Sequence, residues 1–74
     1  MLLTEAKLNT NLIVKNIALQ DADKLRLLEL GLTRNIKIIV KHKSLKGNNL
    51  LIIFENSCFV LGYDLAKYIE VNYA

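Results

Sequence analysis

The chain has 74 residues, enough for one domain with a core but too few for a roomy cleft, since a domain of this size buries only about 60% of its unfolded surface. Apolar residues make up 53% of it, which excludes a disordered chain, and a net charge of +3 is mild for a partner of polyanions. Cys58 is the only cysteine, so there is no internal disulfide, and usage of this kind belongs to a reduced, cytoplasmic setting.

The opening residues Met1–Lys7 have neither a basic n-region nor a long apolar stretch, so they are not read as a signal peptide. No segment approaches the roughly 18 apolar residues of a membrane span, and any link to a membrane is expected to run through a partner. Residues 2–8 read as a short turn or helical piece. Leu12–Ala18 reads as a strand. Asp21 is the expected N-cap of a helix that runs to about Leu30, with Asp23 at the positive end of its dipole and Gly31 as the left-handed stop.

The helix carries leucines on more than one side. At 100° per residue Leu25, Leu28 and Leu32 fall together, with Leu27 and Leu30 nearly opposite. Either the domain covers the helix on two sides, as expected of a short helix wedged between strands and a terminal segment, or one set faces a partner.

Ile36–His42 reads as a strand with Ile36, Ile38, Val40 and His42 on the core face and His42 reaching water at its end. Ser44–Asn49 is a loop by its turn residues. Leu50–Glu55 reads as a strand buried on much of both faces, Asn56–Ser57 as a tight turn, and Cys58–Leu61 as the antiparallel return, with Cys58 a small hydrophobe within it. Gly62–Lys67 is a short helical turn. Tyr68–Tyr73 closes the chain as a strand with Ile69, Val71 and Tyr73 inward. The expected class is mainly β with one α-helix: five short strands, the helix between strands 1 and 2, and a helical turn before the last strand. Closure into a small SH3-like barrel would remove the exposed edges.

Chemistry-bearing residues are sparse. His42 and Cys58 could form a nucleophile–base pair, but no third group orients them, and no enzymatic activity is expected. Structural zinc needs four Cys/His ligands and catalytic zinc three protein ligands, so no metal site is expected within one chain. The three glycines, Gly31, Gly47 and Gly62, form no phosphate-binding fingerprint, and no cofactor is expected. Phe54 and Phe59 read as core, while Tyr63, Tyr68 and Tyr73 could seal one end. Lys37, Lys41, Lys43 and Lys46 cluster around one hairpin and read as a solvated strand face. By elimination, function is expected in a surface.

Several segments resemble, in order, the bacterial ferrous-iron transport protein A family. They are Leu3-Thr4-Glu5-Ala6, Val14-Lys15-Asn16-Ile17, the run Arg26-Leu27-Leu28-Glu29-Leu30-Gly31-Leu32, a glycine-containing hairpin around Gly47, and the close Ala66-Lys67-Tyr68-Ile69-Glu70-Val71. The resemblance covers essentially residues 1–74 as one FeoA-like domain. Two Pro-Gly pairs usual in the family are replaced by Leu8-Asn9 and Arg34-Asn35. Asn is the non-glycine residue that best tolerates positive φ, so the turns are expected to survive. Gly62 stands where the family often has a basic residue.

The resemblance implies an SH3-like barrel and an accessory role in ferrous-iron uptake, by contact with the cytoplasmic part of a GTP-binding, FeoB-like iron permease. Leu25, Leu28, Tyr63 and Tyr68 are the expected partner-binding residues. Weak self-association is left open, and neither nucleic-acid binding nor membrane insertion is expected. Two other readings stand beside it. The same barrel occurs as the C-terminal domain of metal-dependent iron repressors, which would need an N-terminal helix-turn-helix domain before Met1. Weak nucleic-acid binding through Lys37 and Lys41 would show steep salt dependence.

Overall fold

The computed structural model describes residues 1–44, 46 and 48–74. The loop expected at Ser44–Asn49, with its glycine at Gly47, lies partly outside the described residues. A 3₁₀ turn, Leu3–Glu5, is followed by β1 (Asn11–Ile17), α1 (Asp21–Leu30), β2 (Lys37–Lys43), β3 (Asn49–Phe54), β4 (Ser57–Gly62), α2 (Tyr63–Ala66) and β5 (Ile69–Tyr73). The strands form one antiparallel sheet in the order β4-β3-β2-β1-β5.

That sheet is not a closed barrel, contrary to the closure expected from the sequence. The reason is local to β5. Its outer side is already occupied by the chain's own start: the Val71 N–H donates to the Met1 carbonyl at 2.8 Å, the Met1 nitrogen donates to the Val71 carbonyl at 3.2 Å, and Leu2 bridges Glu70. The Val71 groups that an added strand would need there are taken.

One face of the sheet builds the core from alternate residues, as period-2 side chains require. Leu12 and Val14 from β1, Ile38 and Val40 from β2, Leu50, Ile52 and Phe54 from β3, Leu61 from β4, and Ile69 and Val71 from β5 are all buried. Leu3, Ala6, Leu27, Leu32 and Ala66 close over them. Phe59 packs edge-on against Phe54, with ring centroids 5.4 Å apart and planes at 88°.

Where α1 ends, Gly31 adopts φ 96°. Its N–H donates to the Leu28 carbonyl, and the Leu32 N–H reaches back to Leu27, at 3.0 and 2.9 Å. This is the Schellman pattern, with its usual hydrophobic pair in Leu27 and Leu32, both fully buried. Leu32 therefore lies past the helix, and the wheel that grouped it with Leu25 and Leu28 does not apply. A Cβ on Gly31 would also stand 3.2 Å from the Phe54 ring, so both φ and space demand glycine. At the other end Gln20, not Asp21, is the N-cap; Asp21 opens the helix at φ 55°, and no side-chain hydrogen bond caps it.

The two substituted turns do survive. Asn9 and Asn35 sit at φ 57° and 70°. The β3–β4 hairpin turns on Glu55-Asn56, one residue earlier than expected, with Phe54 opposite Ser57. Both turn residues have positive φ, 48° and 64°, as a two-residue type I′ turn requires. Tyr73, expected inward, is 48% exposed at the end of β5, where its Oη accepts the Lys7 N–H at 3.4 Å.

Candidate docking surface

The four expected docking residues are all exposed: Leu25 at 56%, Leu28 at 42%, Tyr63 at 42% and Tyr68 at 45%. The structure joins them only in part. Leu25 and Leu28 lie three residues apart on α1 and share a face. The Tyr68 carbonyl accepts the Ala18 N–H at 2.9 Å, which holds Tyr68 beside the connection from β1 into α1. The Lys67 ammonium stands 5.3 Å from the centre of the Tyr68 ring. Tyr63 lies at the opposite end of α2, with its N–H on the Asn48 carbonyl at 2.8 Å.

α1 itself is the anomaly. Leu27 is its one buried residue, while Leu25, Leu28 and Leu30 are exposed. The domain does not cover this helix on two sides, contrary to the packing expected of a wedged helix. Leu27 and the turn after Gly31 tie it to the core, and the remaining leucines are each about half exposed.

The lysine cluster divides. Between Val40 and His42, β2 advances two residues while β3 advances one, a bulge at Lys41. The side-chain phase shifts beyond it. Lys37, Lys41 and Lys46 stay exposed, whereas Lys43 is half-buried. Its ammonium donates to the carbonyls of Thr4 and Ala6, at 3.0 and 2.9 Å. Those carbonyls end the 3₁₀ turn and lack helical partners, so a cation satisfies them. Lys43 is therefore a structural clamp on the N-terminal segment and not part of a solvated basic face. Alternation along β2 gives no hint of this, because a bulge depends on the partner strand.

His42 and Cys58 do not meet. His42 stands opposite Leu51, and Cys58 opposite Ile53. β3 separates their strands, which puts them two strand spacings apart, about 9.5 Å or more. Cys58 is exposed, not packed as a small hydrophobe. No group of three or more His, Cys, Asp or Glu among the described residues is placed to hold a metal ion. A shallow cleft of about 160 Å³ lies near the Glu55 turn, lined in part by Lys37, Ile39 and Ile53. It is smaller than the usual range for small-molecule pockets, roughly 300 Å³ upward.

What remains is a small sheet domain with half-exposed leucines along its helix. The FeoA domain model matches residues 1–73. The chain belongs to the FeoA family. A Campylobacter jejuni protein provisionally named Fe(2+) transport protein A is 36% identical over 72 residues, 97% of each chain. The solution structure of FeoA from Chlorobium tepidum superposes with a TM-score of 0.90 at 26% identity, covering 99% of this chain and 70% of that one. The crystal structure of FeoA from Stenotrophomonas maltophilia, described as a procaryotic SH3 domain protein and solved with zinc, gives 0.82 at 29% identity, over 97% and 89%. These neighbours establish the fold as SH3-like despite the open sheet.

The fold also recurs in a manganese-dependent transcriptional repressor, at 16% identity and a TM-score of 0.86. There the chain spans 41% of the other protein, and the likeness is one of fold alone. No helix among the described residues is long and apolar enough to cross a membrane.

Proposed function

We propose that this chain, acting as one domain over residues 1–74, is an accessory factor of ferrous-iron transport. It works in the cytoplasm by docking on the cytoplasmic part of a GTP-binding, FeoB-like iron permease. The observation that carries this reading is α1, where Leu25 and Leu28 share one exposed face while Leu27 is the helix's one buried residue. A contiguous apolar patch left in water marks an interaction surface, whereas single exposed apolar residues are ordinary. Tyr68 extends the patch at the entry to α1, and Tyr63 forms its more distant limit.

The test is the double variant Leu25→Glu/Leu28→Glu. Its circular dichroism and urea midpoint are expected to match the parent, because both side chains are exposed. Co-purification with the permease's cytoplasmic domain, and radiolabelled ferrous-iron uptake in cells, should both fall. Undiminished binding by the folded variant would remove α1 as the docking surface. Unfolding would show that the helix needs those leucines for packing.

A further inference from the structure

The two margins of the sheet are treated differently. β5 is covered by Met1 and Leu2, whereas among the described residues no strand pairs with the outer side of β4. Exposed edge strands usually carry Lys, Pro, a bulge or an inward charge that blocks further pairing. Ser57-Cys58-Phe59-Val60-Leu61-Gly62 carries no charge and no proline, and its six residues pair with β3 without a bulge. Val60 is the most exposed large hydrophobic residue described, at 65%.

Backbone alternation fixes which groups are free. In a two-residue hairpin the flanking pair, here Phe54 and Ser57, is hydrogen-bonded. The N–H and C=O groups of Cys58 and Val60 and the N–H of Gly62 therefore point away from β3, while the Gly62 carbonyl, at the N-cap of α2, accepts that helix's first bond.

We propose that a second copy of this chain pairs antiparallel with this edge, through a two-fold axis at Val60. This goes beyond the transport reading and does not depend on it. In that register Val60 faces its counterpart, and Cys58 faces the partner copy's Gly62. Val60 exchanges both of its outward backbone bonds with its counterpart. The six residues of the strand carry no charge, so the axis brings no like charges together within it; the one charge beside the strand is the Asp64 carboxylate, which stands over Gly62. On the core side Phe59, half-buried, lies opposite Leu61 of the other copy, an aromatic–aliphatic cross-strand pair. The outer-face row of Ile39, Ile53 and Cys58, and beside it Leu51 and Val60, becomes continuous across the axis. An interface built on one strand is small, so the association is reversible and concentration-dependent.

The register makes a specific cross-linking prediction. Hydrogen-bonded antiparallel partners have Cα atoms about 5.5 Å apart, within disulfide range. The two Cys58 residues would lie four positions apart along the strands, roughly 13 Å, which is out of range. Sedimentation equilibrium of the reduced full chain is expected to show a mass rising with concentration from 8.4 kDa toward twice that value. Val60→Lys should lose this rise while keeping its circular dichroism. Under glutathione disulfide, V60C in a C58S background should form covalent dimer roughly tenfold or more faster than the parent does through Cys58.

A parent that stays monomeric to its solubility limit would overturn the proposal, as would a dimer that survives Val60→Lys. Faster cross-linking through Cys58 than through V60C would overturn the register and its axis. A monomeric parent whose binding to the permease domain is abolished by Val60→Lys would assign the edge to a partner's strand instead.

Discussion

The β5 and β4 edges of this sheet pose the same physical problem, a row of backbone groups without a sheet partner, and the chain handles them in opposite ways. At β5 the N-terminal segment lies along the strand, and Leu3 and Ala6 tie it into the core at essentially no exposure. Glu5 closes the 3₁₀ turn by accepting the Leu2 N–H at 2.8 Å, and Lys43 clamps its carbonyls from β2. At β4, among the described residues, no strand pairs with the outer side, and the strand's own six residues carry no charge. The covered edge belongs to the stability of the fold, and the bare edge is available for association. Substitutions at the first should change folding, and substitutions at the second should change only what the protein binds.

The largest effect is expected at Leu3. Leu3→Ala removes a fully buried side chain beneath the β5 cover and should cost about 3 kcal/mol, read from the urea midpoint. In a domain this small that is a large share of a total of roughly 5–15 kcal/mol. Lys43→Met keeps the apolar stem but leaves the Thr4 and Ala6 carbonyls without their cation, a loss of roughly 2 kcal/mol. Gly31→Ala, away from both edges, should cost about 1–2 kcal/mol from the left-handed backbone, with the Phe54 contact adding to it. Val60→Lys should leave monomer stability within about 0.5 kcal/mol of the parent. If it destabilised as much as Lys43→Met, the bare edge would be a structural element after all, and the contrast between the margins would fail.

Most of the elements were legible because their signals are local. Leu30-Gly31 marks a helix stop whatever surrounds it, and Asn9 and Asn35 reach positive φ because asparagine tolerates it. The β3–β4 turn was displaced by one residue because Glu55 is a poor residue for φ 48° and gives no turn signal. What escaped the sequence was nonlocal. Closure depends on whether the two outer strands meet, and the N-terminal segment decides that from nearly 70 positions away. Lys43 looked like its solvated neighbours because the bulge that redirects it exists only in register with β3.

The docking surface was legible as a set of exposed residues but not as an arrangement. A helical wheel placed Leu25 and Leu28 together correctly, yet it continued through Gly31 and added Leu32, which the Schellman turn buries against Leu27. Nothing in the local sequence distinguishes Tyr68, held at the entry to α1, from Tyr63, held near Asn48.

Residue-resolved amide hydrogen exchange tests the contrast between the two edges most directly. In dilute solution the Val71 amide, which donates to Met1, should exchange slowly, and the Cys58 and Val60 amides should exchange quickly. Raising the protein concentration should slow Cys58 and Val60 and leave Val71 unchanged. Slow exchange at Val60 in the dilute monomer, or fast exchange at Val71, would contradict the account of one covered and one bare edge.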